Sequence, residues 1–397
     1  MPRLVRDKLT WLTYAQLSAW AYFLYGFGPV VPLLRQEQGT SRTVAGLHGT
    51  ALALGGIVAA AVTPLVVRRL GRHRLIWLGL TGVSVAALGL LVAHPLPVTL
   101  AIVTLASLSG SFVVNGVVAG LTDHHGAAGP ASISEANAAA AAVGLIAPLI
   151  VGAAVSLGFG WRPGIALVVV PVVFLALFSG VRLPEPHASA TPDGRRARPL
   201  PPRYWLAFAS LFATTGVEFS LTLWSADVLR AHANVSAAVA TAALSTLIGG
   251  MFVGRLAGGR LLLYFRPTHV LLAALATSAL GFAVFWSATQ PWLALAGLVV
   301  CGFGVSLHYP LGIGLAVGHS DGQPDLAAAR ATYAIGTAVA AAPFSLGVLA
   351  DRVGPHLAFL LVPALLLVSA VVVTRLHLLS SPPQVRELDA QLAEQPT

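Results

Sequence analysis

The sequence predicts an all-α membrane protein, with twelve transmembrane helices arranged as two pseudo-symmetric six-helix bundles. Three observations predict it: an apolar composition with little charge, twelve apolar runs of spanning length, and a repeat relating the two halves of the chain. Of 397 residues, 56% are hydrophobic and 9% charged, against about 25% charged in ordinary soluble domains. Mean hydropathy is +0.82. The single Cys301 cannot form an internal disulfide, so cysteine usage says nothing about redox compartment. Lys8 is the one lysine among 23 Lys and Arg residues, a bias that points to a GC-rich, bacterial genome.

A hydrocarbon core of ~30 Å needs about 20 apolar helical residues to cross it. Runs of that order fall at 11–34, 44–67, 75–92, 98–121, 133–155, 164–181, 204–229, 237–261, 268–288, 292–317, 327–349 and 356–376. Each exceeds strand length and lacks strict alternation, and lipid demands an internally satisfied backbone, so the runs read as helices. The first run follows Arg3, Arg6 and Lys8 with no small-residue cleavage site behind it, and reads as a retained helix.

The cations decide orientation. With the N-terminus inside, 18 of the 23 Lys and Arg fall on the cytoplasmic side, and five (Arg35, Arg42, Arg162, Arg230 and Arg352) fall outside. Both termini are therefore expected in the cytoplasm of a multi-pass inner-membrane protein. The formal charge of +9 then reflects topology, and nucleic acid is not an expected partner. RLPEPHASATPDGRRARPLPPR, 182–203, is rich in Pro and Arg and has no apolar face. It reads as a cytoplasmic linker between an N-terminal bundle, 1–181, and a C-terminal bundle, 204–380, with a tail at 381–397.

Internal symmetry supports that division. A shift of 194 lays Gly55-Gly56 on Gly249-Gly250, Gly110 on Gly304 and Gly120 on Gly314. A shift of 195 lays Leu34-Arg35 on Leu229-Arg230, Ser41 on Ser236, Ala147-Pro148 on Ala342-Pro343 and Gly152 on Gly347. The halves therefore read as parallel repeats, helices 1, 2, 4 and 5 matching 7, 8, 10 and 11.

With RRLGRHR (68–74) between helices 2 and 3, these features resemble the major facilitator superfamily over essentially the whole chain. That stretch is similar to the family's Gly-x-x-x-Asp-Arg-x-Gly-Arg-Arg loop, with Arg68 where the family has Asp and Pro64 where it has Gly. GRLAGGR (254–260) is its counterpart in the second half. GLIAPLIVG (144–152) is similar to the helix 5 motif of drug/proton antiporters, with Ala147 in place of the motif's Gly. The resemblance implies alternating access around a central cavity lined by helices 1, 4, 7 and 10.

Polar residues recur on those helices at spacings of three or four. Helix 7 carries Thr215, Glu218, Thr222 and Ser225; helix 4 carries Ser107, Ser111, Asn115 and Thr122; helix 1 carries Tyr14, Ser18, Tyr22 and Tyr25; and helix 10 offers His308 and Tyr309. Small hydroxyls also serve as glue between membrane helices, so each stripe has a structural reading beside the functional one. Trp20, Phe23 and Phe27 read as packing.

Glu218 lies roughly 21 Å along helix 7 from its start near Tyr204, close to mid-membrane. An ionised carboxylate there costs at least about 2.5–3.5 kcal/mol, so it is expected to face the cavity and to cycle through a protonated form. The alternative is a permanently protonated Glu bonded to Thr214, Thr222 or a neighbouring helix. The expected proton-coupling residues are Glu218 and His308, His being the side chain that titrates near neutrality. The expected substrate contacts are Tyr22, Tyr25, Asn115, Glu218, Thr222, Ser225, His308 and Tyr309. Glu135 opens helix 5 and Arg255 closes helix 8, which the family's symmetry places side by side. A Glu135–Arg255 lock on the cytoplasmic side is expected, with Arg260 and Arg330 in support. Asp227 reads as a solvated helix end, with an outer gate as the alternative, and His48 as packing.

No Arg lies mid-span on helices 1, 4, 7 or 10, which favours neutral, amphipathic or cationic solutes over multivalent anions. No metalloprotease, nucleophile-elbow or P-loop motif is present, so no enzyme is expected. Asp123-His124-His125 reads as a solvated loop and no metal site is assigned. The sequence thus points to a secondary active transporter, proton-coupled and taking up a small organic solute, with export of hydrophobic or cationic compounds by drug/proton antiport as the alternative. No cofactor is expected; the partners are the substrate, protons and the bilayer, and the chain is expected to act as a monomer.

Overall fold

The structure, a computed structural model, describes residues 5–178, 180, 199–233 and 235–380. Most of the expected linker and the whole of the tail at 381–397 lie outside the described residues. Among the described residues there is no strand. The first bundle contains α1 (Lys8–Gln38), α2 (Arg42–Leu70), α3 (Arg72–Val92), α4 (Leu96–His125), α5 (Gly129–Ser156) and α6 (Arg162–Phe178). The second contains α7 (Pro202–His232), α8 (Ala237–Tyr264), α9 (Pro267–Ser287), α10 (Pro291–Gly318), α11 (Pro324–Val353) and α12 (Pro355–Leu379). All but the shorter α6 are long and apolar enough to cross a membrane.

Several helix starts follow from single residues. Ser41 caps α2 and its repeat mate Ser236 caps α8, each hydroxyl accepting from the backbone N–H three residues on. Asp7 caps α1, accepting from Thr10 N at 2.9 Å and Thr10 Oγ1 at 2.7 Å, while His124 donates to its other oxygen at 2.8 Å. Burial raises the Asp7 pKa, but the hydrogen bonds from Thr10 and His124 outweigh it and hold the group at about 2. Because this lies below the unfolded value, the carboxylate's stabilising contribution is fully present above the ordinary Asp range and is lost progressively as pH falls through that range to about 2.

Prolines sit where a helix restarts. Spans α6, α10 and α12 break after Ala166, Val305 and Ala358, and Pro171, Pro310 and Pro363 lie in the first turn of the resumed helix. A missing N–H is tolerated there, whereas Pro64, Pro148 and Pro343 lie inside helices. Gly71, at φ 80, makes the left-handed turn between α2 and α3. That turn brings the Arg72 guanidinium to Asp123 at 2.8 Å. The loop RRLGRHR holds no acid of its own, and Asp123 at the end of α4 takes up Arg72. Helix α4 continues to His125, so Asp123-His124-His125 is helical and partnered where the sequence reads as a solvated loop.

Within the bundles α1 packs on α5 and α3 on α4, while α9 packs on α10 and α7 on α11 and α12. Exposed side chains such as Val85, Leu177, Leu280 and Leu367 cover the outer faces of α3, α6, α9 and α12, as lipid contact requires. The bundles meet along two seams, α2 with α11 and α5 with α8. The seams are equivalent under the repeat: Thr50 donates to the Ala340 carbonyl at 3.5 Å, and Ser245, 195 positions on, donates to the Leu145 carbonyl at 2.7 Å. Gly152 packs on Ala238 and Ala242 of α8, as Gly347 packs on Arg42 and Thr43 of α2.

Both seams are closed toward the face opposite the N-terminus, called here the distal face. There a Cβ at Gly28 would collide with the Thr222 carbonyl, so α1 and α7 touch backbone to backbone. Asp227 of α7 is 3% exposed and takes Arg42 at 2.7 Å and Arg35 at 3.4 Å, both from the other bundle. This corrects the reading of Asp227 as a solvated helix end. Asp351 accepts from the backbone N–H groups of Arg42 and Thr43 at 2.9 and 2.7 Å, closing the first turn of α2 onto the end of α11. The α2–α11 seam runs as far as Ile57 against Gly336, and one turn closer to the N-terminal face Tyr333 is already 61% exposed.

Asp227→Asn therefore removes the carboxylate shared by two cations of the opposite bundle. In a Cys301→Ala chain spin-labelled at positions 40 and 231, electron–electron distance measurements are expected to show a longer, broader population in Asp227→Asn. An unchanged distribution would remove Asp227 from the closure of this face.

Candidate functional site

The polar stripe of α7 changes environment along its length. Thr222 is buried against Gly28 of α1, Ser225 is buried further along the helix, and the Thr222 hydroxyl donates to the Glu218 carbonyl at 2.8 Å. Glu218, one turn closer to the N-terminal face, is partly accessible. It is thus a partly accessible carboxyl group between the bundles, one turn below the distal closure. A charged form there can be hydrated from the open side, which buried packing would forbid.

Three side chains surround it. Tyr25 of α1, one turn before Gly28, lays its ring on Gly144 of α5, where any Cβ would collide with it. Tyr25 lies within interaction range of both Glu218 and Arg255 of α8. Tyr309 of α10 is 48% exposed and lies close enough to Glu218 to feel its charge. Arg255 is likewise within coulombic reach of Glu218, although the two are not in salt-bridge contact in this conformation. The site therefore draws on α1, α7, α8 and α10, with one acid, one guanidinium and two phenols.

Other expected site residues are placed elsewhere, each for a visible reason. Tyr22 is 6% exposed and its hydroxyl donates to the Gly164 carbonyl at 2.6 Å, which fixes α1 to α6. His308 is 1% exposed and bonds Ser278 of α9 at 3.1 Å, because α10 restarts at His308 and turns that ring away from the cavity while Tyr309 faces it. The helix 4 stripe faces α2: Ser107 donates to the Leu52 carbonyl at 2.5 Å, and the exposed Asn115 amide donates to Thr63 at 3.3 Å. His48 is packed between the Ala45 carbonyl and the Thr99 hydroxyl.

The expected lock is not formed in this conformation. Glu135 is held by Arg6 at 2.6 and 2.8 Å and accepts from the Tyr14 hydroxyl at 3.2 Å. Arg330 stacks over Trp205 at 6.0 Å, and the side chain of Arg260 lies outside the described residues. Arg255 reaches inward to Tyr25 and Glu218, so the argument against anionic solutes, which rested on the lack of an inward cation, loses its basis.

The distal charge cluster fits the outer gate that is the alternative reading of Asp227, but its partners were not identified from the sequence. The signal lay in the cations that break the charge bias: Arg35 and Arg42 hold Asp227, Arg162 holds Glu37 at 2.6 Å, and Arg230 donates to Gln36 at 3.3 Å.

Two helix bundles sealed at the distal face, with the α2–α11 seam ending short of the other face and a partly accessible carboxyl between them, define a membrane transporter that works by alternating access. The sequence matches the Major Facilitator Superfamily over residues 15–263 and 206–397, and the chain belongs to that family of transporters. It is 28% identical over 375 residues to an uncharacterised MFS-type transporter of Yersinia pestis, covering 89% of this chain and 94% of that one. Its fold is similar to the nucleoside transporter NupG, in a mutant form, at TM-score 0.76 and 12% identity, covering 93% of this chain and 98% of that one. It is also similar to a bacterial homologue of the human lysosomal transporter Spinster, solved inward-facing and unoccupied, at TM-score 0.73 and 12% identity, covering 94% and 98%.

The two tyrosines should separate on mutation. Tyr22→Phe removes one buried hydrogen bond and is expected to cost ~1 kcal/mol in unfolding, with transport affinity unchanged. Tyr25→Phe is expected to raise the transport KM several-fold with little loss of stability. The reverse pattern, in thermal unfolding and initial-rate uptake, would move the site to the α1–α6 side.

Proposed function

We propose that the protein is a proton-coupled transporter that takes up a small organic solute, with Glu218 as the group that carries the proton. The observation that carries this reading is the position of Glu218, accessible from the open face and one turn from the distal closure. A carboxyl so placed meets water from one side in this conformation and from the other once the seams exchange. Tyr25, Tyr309 and Arg255 are the proposed solute contacts. Arg255 also supplies the positive field that lets Glu218 ionise when its proton leaves to the open side.

The Lys and Arg distribution supports the N-terminal face as the cytoplasmic one, in a bacterial inner membrane. On that reading the conformation is inward-open. The return step then needs the cytoplasmic ends of α5 and α8 to approach, with Glu135 leaving Arg6 and Arg255 swinging from Tyr25 to meet it. Arg330 stands at the same face on α11. Export of cationic compounds fits less well, because Arg255 beside Glu218 repels a cation.

In proteoliposomes, Glu218→Gln is expected to abolish solute uptake driven by a pH gradient, by at least about a hundredfold, while the chain still inserts and still exchanges solute down its own gradient. Gradient-driven uptake that survives the substitution would remove the coupling role. Solute leaving as protons enter would establish the export reading instead. For the lock, cysteines at 135 and 255 should cross-link more readily in the Asp227→Asn chain, and no gain there would remove the pair.

A further inference from the structure

The hairpin of α8 and α9 holds a cavity apart from the groups around Glu218. The two helices turn at Phe265-Arg266, and each packs on α10 while barely touching the other. Between them, near the N-terminal face, lies a cavity of about 370 Å³ walled by Leu261, Phe265, Val270, Ala273, Phe303 and Leu307. Its walls are almost wholly apolar, and the Thr277 hydroxyl on its edge is satisfied by the Ala273 carbonyl at 2.8 Å. None of the groups around Glu218 reaches it. From His269 to Thr277 it follows α9 for about 12 Å, the rise of eight helical residues.

The rim differs from the walls in charge. His269 lines the mouth, with its ring 4.7 Å from that of His377 on α12, and His377 also meets the Thr268 hydroxyl at 3.3 Å. Arg266 is exposed at the start of α9, and among the described residues no carboxylate pairs with it. Tyr264 and Phe265, 81% and 57% exposed, stand where interfacial aromatics anchor a helix.

We propose that this groove binds an anionic phospholipid of the adjacent leaflet, with one acyl chain in the cavity and the phosphate on Arg266, His269 and His377. A narrow apolar cavity that opens on the membrane takes up a chain, since water gains no hydrogen bonds there. Any phospholipid supplies the chain, and the Arg266 guanidinium selects an anionic headgroup, a surface cation contributing about 1 kcal/mol. The inner wall at Gly304 and Leu307 lies at the break in α10, so the chain rests against the joint of a helix that carries Tyr309.

The test uses the delipidated full-length protein in detergent, titrated with phosphatidylglycerol, with phosphatidylcholine of the same chains, or with inorganic phosphate. Thermal unfolding and native mass spectrometry are the readouts. Phosphatidylglycerol is expected to raise the unfolding temperature at lower concentration than phosphatidylcholine and to be retained as a single bound copy, while phosphate alone does neither. Arg266→Glu, at an exposed and unpaired position, should weaken phosphatidylglycerol at least about fivefold, and Ala273→Phe should block the chain. Equal effects of the two lipids, or full phosphatidylglycerol binding by Arg266→Glu, would overturn the proposal. A shift produced by phosphate alone would replace the lipid with a free ion.

Discussion

Lipid offers no hydrogen bonds, and that constraint sorts the polar residues of this chain into two groups. Most of them spend their capacity inside the protein: Ser107 on the Leu52 carbonyl, Tyr22 on the Gly164 carbonyl, His308 on Ser278, and many Thr and Ser hydroxyls on the carbonyl a turn earlier in their own helix. Gln16 is an exception, fully buried with no partner for its amide among the described residues, and the structure gives no physical account of it. Glu218 belongs to the other group. It keeps access to the space between the bundles, with a guanidinium and two phenols close by.

The same repeat that builds two similar bundles also builds two similar seams. Thr50 on Ala340 and Ser245 on Leu145 are one contact made twice, and small residues let the backbones close around both. Two equivalent seams sharing one axis can part together at one end and meet at the other, which is the motion alternating access requires. In the present conformation the balance lies with the distal end, where Asp227 and Asp351 tie α7 and α11 to the first turn of α2 and the end of α1. At the other end Glu135 and Arg255 each hold a partner from elsewhere, Arg6 and Tyr25.

The helices and their pairing were legible because spanning length, Pro and Gly placement and the repeat offset are local or periodic signals. Glu218 was legible because a lone acid in an apolar run is expensive. What could not be read was which way each polar stripe faces. Asn115 and Tyr25 look alike in sequence, each polar and on a helix expected to line the cavity. The rotation of α4 presents Asn115 to Thr63, while the Gly28 turn and the gap at Gly144 leave Tyr25 beside the site. His308 was misread because the break at Ser306-Leu307 resets the phase of α10. An outer gate at Asp227 was legible only as an alternative, because its partners lie some 190 positions away in sequence, on the opposite bundle.

The central claim is that position 218 meets water from one face at a time. The direct measurement places a cysteine there, Glu218→Cys in a Cys301→Ala chain, and follows its reaction with a membrane-impermeant thiol reagent in vesicles of each orientation. The account predicts fast labelling from the N-terminal face and little from the distal face, with distal labelling appearing once Asp227→Asn is added. Labelling from neither face would contradict it, as would equal labelling from both faces in the parent chain.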